Sequence, residues 1–553
     1  MVTNRTKCLL VYFMLQMLTS ISGNSQDFRR DSIIEDIRQL ADILESSHPD
    51  PYIRGGGKIA FHRRLHQLIL SIPEEGIRKE DFQKLLLPFV ASVGDGHTRI
   101  HVEYKNNEKQ PAGIPLYFSI IEKSLYVSGV VDENHKNLIG SILLSVEDIP
   151  FKALCERVTK LRGTDNEYGA LALLEGKNYL WYQSQLADLI PEWMKDNITL
   201  ELKLLSGETK KMTFNLPIEI NKPLIMHDSV IEIPSTKNCE FAYDFLDKNR
   251  KVAILKVDGM GGFRENFELA GLENQFLLNG ARYFYRRYNK KAPPDDKSEL
   301  LKGIPSATET FKSLVTDMRN YRTETLIVDL RKNGGGNSTL AQFLIYFIFG
   351  EDRLISYFAQ KSGYETIKYS NLYFDQVQDG KKGTNTPGIG LNDNDYWFED
   401  LYELKNLEDF RTQKATAELA ELYKKIPTFY NEYKTGKYSN HHRPKKIIVL
   451  CSPETYSSGY TMMKMLNVMG ATLIGTPSSQ AENAPGWVLN FKLKNSGLTG
   501  WVACKFYTSF SNRIKNGVYQ LDQELTYNKL KEYDFDPNSE ILLALDLIKK
   551  ESD

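Results

Sequence analysis

Across 553 residues the chain has only five cysteines, none in a C-x-x-C pair, and the four that follow residue 23 (Cys155, Cys239, Cys451 and Cys504) are widely separated. That spacing excludes a zinc ribbon or finger, so no metal is expected. Disulfides are permitted but not required, because a chain of this length builds its core without staples. There is no excess of either charge: 70 Lys and Arg stand against 71 Asp and Glu, a formal net charge of −1. The electrostatic footprint of a nucleic-acid partner or of an acidic membrane is therefore missing. Beyond residue 23 no stretch approaches the ~20 apolar residues of an integral membrane span. A P-loop is missing too, since the glycine run Asn333-Gly-Gly-Gly336 has no Lys-Ser/Thr after its last glycine.

What is present begins with Arg5 and Lys7, the apolar run from Cys8 to Leu18 and the small residues Thr19-Ser-Ile-Ser-Gly23. This is the three-part layout of a secretory signal, so residues 1–23 are expected to be a signal peptide and the protein to be exported, periplasmic or extracellular. The whole chain is 41% hydrophobic and 25% charged, ordinary for a folded multidomain protein of roughly three or four modules.

Residues 24–91 read as a helical module. Ile33, Ile34, Ile37, Leu40 and Leu44 recur at helical spacing up to His48-Pro-Asp-Pro51, a second helix covers His62 to Leu70, and a third Glu80 to Ala91. Residues 92–232 open on Ser92-Val-Gly-Asp-Gly-His97-Thr and turn β-rich, with helices expected at Lys152 to Leu161 and Trp181 to Trp193. Within them Gly140-Ser-Ile-Leu-Leu-Ser-Val-Glu-Asp-Ile-Pro150 resembles the strand-and-turn signature of PDZ-like domains. Residues 233–553 hold continuous apolar strands (Val252 to Val257, Thr325 to Leu330, Lys446 to Leu450) separated by helical stretches, which predicts an α/β core with its sheet covered on both faces. The polar, aromatic region 350–442 reads as an insertion, either a lid or surface elaboration, with one helix at Thr416 to Lys425.

Three pieces carry chemistry. Ser457 and Ser458 lie where the strand ending at Leu450 gives way to a helix, so backbone N–H groups there are open to an anion; such a pair is also an ordinary helix cap. Asp329-Leu-Arg-Lys-Asn-Gly-Gly-Gly336 follows a buried strand and lets backbone approach a ligand closely. His97 sits in a glycine-flanked turn with the side chain best suited to proton exchange near neutrality, and His48, His62, His66, His101, His135, His227, His441 and His442 compete with it.

Taken together, Gly94-Asp-Gly-His-Thr98, Val328 to Gly336, Val449 to Gly459 with Ala471-Thr-Leu-Ile-Gly-Thr-Pro477, Leu493-Lys-Asn-Ser-Gly-Leu498 and Asp534-Phe-Asp-Pro537 resemble the C-terminal-processing, or tail-specific, serine peptidases, in the branch similar to the tricorn protease core. The resemblance implies a mixed, multidomain α/β fold with a core of the ClpP/crotonase-like type, no cofactor, and peptide or unfolded protein as substrate. It implies Ser457 as nucleophile and the N–H groups of Ser458 and Gly335 as oxyanion donors. The lysine of the family's Ser-Lys members is missing from Gly475 to Gly486, so His97 is the implied base; Glu524 is the favoured third acid, with Asp522 and Glu482 as alternatives. A non-catalytic peptide- or lipophile-binding protein on the same fold, or a small-molecule esterase or amidase, are the competing readings.

Overall fold

The computed structural model describes residues 27–102, 114–193, 196–216, 224–273, 275–360, 363–376, 396–398, 407–434 and 443–552. The expected signal peptide lies outside them. The chain forms two compact units, one from Ser22–Ile231, Gly475–Ala503 and Lys515–Asp553, the other built mainly from Glu232–Ile474 and Cys504–Ile514. Among the described residues no helix is long and apolar enough to cross a membrane, and Cys155, Cys239, Cys451 and Cys504 are free thiols.

The first unit opens with the helices Arg30–Ser47, Gly57–Leu70 and Lys79–Ala91. The first buries Ile33, Ile37, Leu40 and Leu44 and stops at His48, held extended at ψ 137 by the proline that follows it. Asp36, fully buried on this helix, accepts the N–H groups of Asn495 (2.9 Å) and Ser496 (2.7 Å) and so fixes the Leu493 to Leu498 turn. An antiparallel sheet follows in the spatial order Leu116–Ile121, Ser124–Val130, Ile142–Val146, Asn197–Lys203, Thr209–Asn215. Two of its turns have paired residues at positive φ without glycine, Glu122-Lys123 (45° and 64°) and Glu147-Asp148 (49° and 61°), the twist that suits a two-residue hairpin. The helix expected over Trp181 to Trp193 is only Gln183–Leu189, because Pro191 disfavours a helical Ile190.

In the second unit the strands Val252–Val257, Thr325–Asp329 and Lys446–Cys451 pair in parallel, with Ile254, Ile327 and Ile448 in register. Phe241–Phe245 flanks them on one side, antiparallel to Val252–Val257, and Thr472–Gly475 on the other. Every residue of the first two parallel strands is buried, as continuous apolar runs require when helices cover both faces. Three helices, Ala307–Tyr321, Thr339–Phe349 and Ser458–Val468, connect or follow these strands.

The described part of the 350–442 region contributes to the core. Its helices Leu407–Lys424 and Pro427–Lys434 bring Phe429, fully buried, against Phe343 (ring centroids 4.5 Å), Tyr423 (4.7 Å) and Tyr346 (5.0 Å). Phe429→Ala is expected to cost about 3–5 kcal/mol, read from the urea midpoint; a loss below about 1 kcal/mol would make this helix a surface addition.

Candidate active site

Thr325–Asp329 and Lys446–Cys451 are parallel neighbours, so the turns that leave their carboxyl ends emerge side by side, where open α/β sheets place their ligands. Side chains stitch the turns together. Thr455 Oγ1 donates to the Leu330 carbonyl (2.8 Å), Ser452 Oγ to the Arg331 carbonyl, and Tyr456 N–H to the Asn333 carbonyl (2.9 Å). At the root of the glycine turn Asp329 is buried and grips Arg331 through both oxygens, at 2.9 and 2.8 Å. Burial alone would push its carboxyl up; the Arg331 guanidinium outweighs burial and holds it below the usual range.

Ser457 stands at the junction of this turn with the helix Ser458–Val468, at φ 54°, ψ −120°, a conformation that costs a non-glycine residue about 1–3 kcal/mol and recurs where a side chain is presented at a functional site. Its side chain does not cap the helix it precedes, so the cap reading of the serine pair fails here. The neighbouring hydroxyl of Ser458 is buried and donates to the Gly336 carbonyl at 2.7 Å. Of the two serines, Ser457 is therefore the one held at a strained backbone position.

Gly335 lies against this residue. A Cβ there would fall 2.7 Å from Ser457 Cβ and 3.0 Å from the Ser458 nitrogen, and φ is 105°. The expectation that Gly335 lends its N–H to an oxyanion needs correction: that N–H donates to Asn333 Oδ1 at 3.0 Å, closing a local Asx-type turn. Among the described residues the N–H groups of Gly336 and of Ser458, the first residue of its helix, have no protein acceptor. They are the donors this arrangement offers.

His97 belongs to the other unit, in a turn built on a buried carboxylate. Asp95 Oδ1 accepts the N–H groups of His97 (2.6 Å) and Thr98 (2.7 Å), while Oδ2 is held by His48 Nε2 at 3.0 Å. His48 Nδ1 accepts the Asp50 N–H at 3.1 Å, so the proton given to Asp95 is the one on Nε2. Arg54 ties the surrounding loops through the carbonyls of Gly94 (2.8 Å) and Asp165 (2.7 Å), and Asp165 Oδ1 accepts the Gly96 N–H at 3.0 Å. Thr98 Oγ1 accepts the Ala503 N–H at 3.1 Å, which docks the turn on the strand Thr499–Ser509. His48 and Arg54 were not legible as partners, although Asp two residues before His97 is an Asx-turn signal.

Burial drives the His97 ring down to about 4, Asp95 pulling upward and Arg99 and Arg162 adding to the depression. A hydrogen bond with the Pro485 backbone orients the ring. For Asp95, burial acts against ionisation, but the hydrogen bond from His48 leads the groups that hold it at about 2.

Glu524 is exposed and shares its surroundings with Lys123, Glu122 and Glu167. Asp522 is also exposed, whereas Glu482 is 4% exposed and stands three residues before Pro485. His441 and His442 lie outside the described residues. Among the described residues no group of three or more His, Cys, Asp or Glu is placed to hold a metal.

Two outcomes are expected. Gly335→Ala should lower activity by about 10²-fold or more, because its Cβ would displace Ser457 and the Ser458 N–H; activity within about threefold of wild type would show that the close contact is dispensable. The His97 ring should titrate near pH 4 by NMR. Since the unfolded ring takes a proton near 6.5 and the folded ring resists it until about 4, His97's contribution to stability should fall as pH drops through that window and level off below it. A midpoint near 6.5 would show a solvated ring.

Residues 297–520 match the model of peptidase family S41. The structure of mature CPAF is similar over 92% of this chain and 96% of its own, with 14% identity and a TM-score of 0.51. Mature CPAF complexed with lactacystin aligns over 94% and 99%, again at 14% identity, with a TM-score of 0.52. These likenesses speak for the fold. The photosystem II D1 C-terminal processing protease aligns over 91% and 94% at 10% identity, with a TM-score of 0.36. No curated protein sequence matches the chain. The segment 297–520 is thus assigned to peptidase family S41 by its match to that family's model.

Proposed function

We propose that Ser457 is the nucleophile of this peptidase, that His97 is its general base, and that the Ser458 and Gly336 N–H groups hold the oxyanion. Attack of Ser457 Oγ on a peptide carbonyl forms the C–O bond while His97 takes the hydroxyl proton. Returning that proton to the leaving amine breaks the C–N bond, and water repeats the cycle to release the acyl group. The observation that carries this reading is the backbone of Ser457, strained at φ 54° at a helix N-terminus and pressed against Gly335. His97 is presented with its ring oriented by Pro485 and its charged form disfavoured, so above about pH 5 it is a free base.

The substrate is an extended peptide or unfolded protein, cut near a C-terminus. The antiparallel sheet of the first unit, with Leu116–Ile121 and Thr209–Asn215 at the ends of its strand order, is the PDZ-like element that would capture it by strand addition. Residues 1–23 would direct the protein out of the cytoplasm, to a periplasmic or extracellular setting.

The test is digestion of a peptide library and an unfolded protein, read by mass spectrometry, beside labelling with a fluorophosphonate. Ser457→Ala is expected to abolish labelling and lower cleavage by about 10³-fold or more, and His97→Ala to do nearly as much. The acid limb of kcat/KM should lie near pH 4, well below an ordinary histidine limb. Cleavage that survives Ser457→Ala removes that residue from the chemistry. Labelling and ester cleavage without peptide cleavage would favour an esterase, and ligand binding untouched by either variant a binding protein.

A further inference from the structure

Glu240 is 5% exposed and has no part in the chemistry above. It immediately precedes the strand Phe241–Phe245 and reaches the loop that follows the adjacent strand Val252–Val257. Its Oε2 accepts the N–H groups of Gly261 (3.0 Å) and Gly262 (2.7 Å), and its backbone carbonyl accepts the Asp258 N–H (2.7 Å). Arg287 lies 3.5 Å from Oε1. A Cβ on Gly259 would fall 2.7 Å from the Glu240 carboxyl carbon, so the loop is wrapped directly on this side chain.

The clamped loop is also what holds the oxyanion turn. Met260 N–H donates to the Gly335 carbonyl (3.0 Å) and Asn337 N–H donates to the Met260 carbonyl (2.6 Å), a parallel bridge that brackets Gly336. A second path runs from Gly261 O to Asn266 Nδ2 (2.7 Å) and from Asn266 Oδ1 to Asn337 Nδ2 (2.6 Å). Gly336 is so close to Met260 that a Cβ would meet its carbonyl at 2.3 Å. Where the Gly336 N–H points is thus inherited from residues 259–262, which the Glu240 carboxylate holds with help from Asn266 and from the Tyr288 hydroxyl on the Gly262 carbonyl (3.1 Å). Burying a carboxylate is costly, and burial indeed pushes this one up; two N–H donors and a guanidinium are what offset that cost.

We propose that Glu240 is a positioning residue for the oxyanion site, holding Gly261 and Gly262 so that Met260 sets the Gly335–Asn337 turn and aims the Gly336 N–H at the tetrahedral intermediate. This rests on the Ser457 reading.

The test compares the full-length wild type with Glu240→Ala, Glu240→Gln and Ser457→Ala on one cleaved peptide and on a trifluoromethyl ketone of the same sequence, whose adduct places an oxyanion in the site. Glu240→Ala is expected to lower kcat about 10–100-fold with KM changed less than about twofold, and to weaken the ketone by a factor similar to the kcat loss. Glu240→Gln keeps an oxygen for both N–H groups and should recover kcat to within about threefold. If Glu240→Ala is recovered only unfolded, Glu240→Asp, which withdraws the carboxylate by one methylene, carries the same expectation. A folded Glu240→Ala or Glu240→Asp with wild-type kcat, or with its loss confined to KM, overturns the proposal alone. Hydrolysis that survives Ser457→Ala overturns the serine reading and this proposal with it.

Discussion

The turns around Ser457 depend on one close approach, that of Gly335 to Ser457. Only a residue without a Cβ leaves room there, and the contact makes two turns from different strands behave as a single body. The strain at Ser457, about 1–3 kcal/mol, is matched by hydrogen bonds from Thr455, Tyr456 and Ser458 to the facing turn, each worth about 0.5–1.5 kcal/mol net. Neither turn would keep its shape alone. In-register parallel pairing of Thr325–Asp329 with Lys446–Cys451 brings them to the same height, so the buried apolar strands serve the site as much as the core.

The His97 turn follows a different logic. Its organiser is a buried charge, Asp95, which spends one oxygen on the backbone of His97 and Thr98 and the other on His48. Removing one partner of such a group leaves the rest with an uncompensated charge, which makes the turn an all-or-none structure. Glycine does related work here: a Cβ at Gly163 would meet the Asp95 carbonyl at 2.6 Å, so residues 162–165 pack directly onto the turn.

Much of this was legible in the sequence. Continuous apolar runs gave the parallel strands, and the three N-terminal helices fall where their periodicity put them, with a shortfall only at the start of Gly57–Leu70. The glycine run and the serine pair were recognisable because backbone strain and close approach leave residue-type signatures. What escaped was set by the tertiary structure. The hairpin turns at Glu122-Lys123 and Glu147-Asp148 carry no glycine, so turn chemistry could not fix them. Asn333 takes the N–H of Gly335 through a side chain that reads, in sequence, as one more polar turn residue. Glu524 and Glu240 differ only in their surroundings, one exposed among charges and the other enclosed by glycine N–H groups; nothing local marks the difference.

The surroundings of His97 set how it holds a proton. The Pro485 backbone orients the ring through a hydrogen bond, and Asp95 pulls its pKa upward by its field while its oxygens are bound to backbone and to His48. Arg99 and Arg162 work against that pull. On the proposed reading His97 is a weak base, so proton transfer from Ser457 has a small driving force. The ring in exchange stays deprotonated well below neutrality, and on the same reading the lower pH limit of activity is set as much by the stability of the Asp95 turn as by the titration of His97.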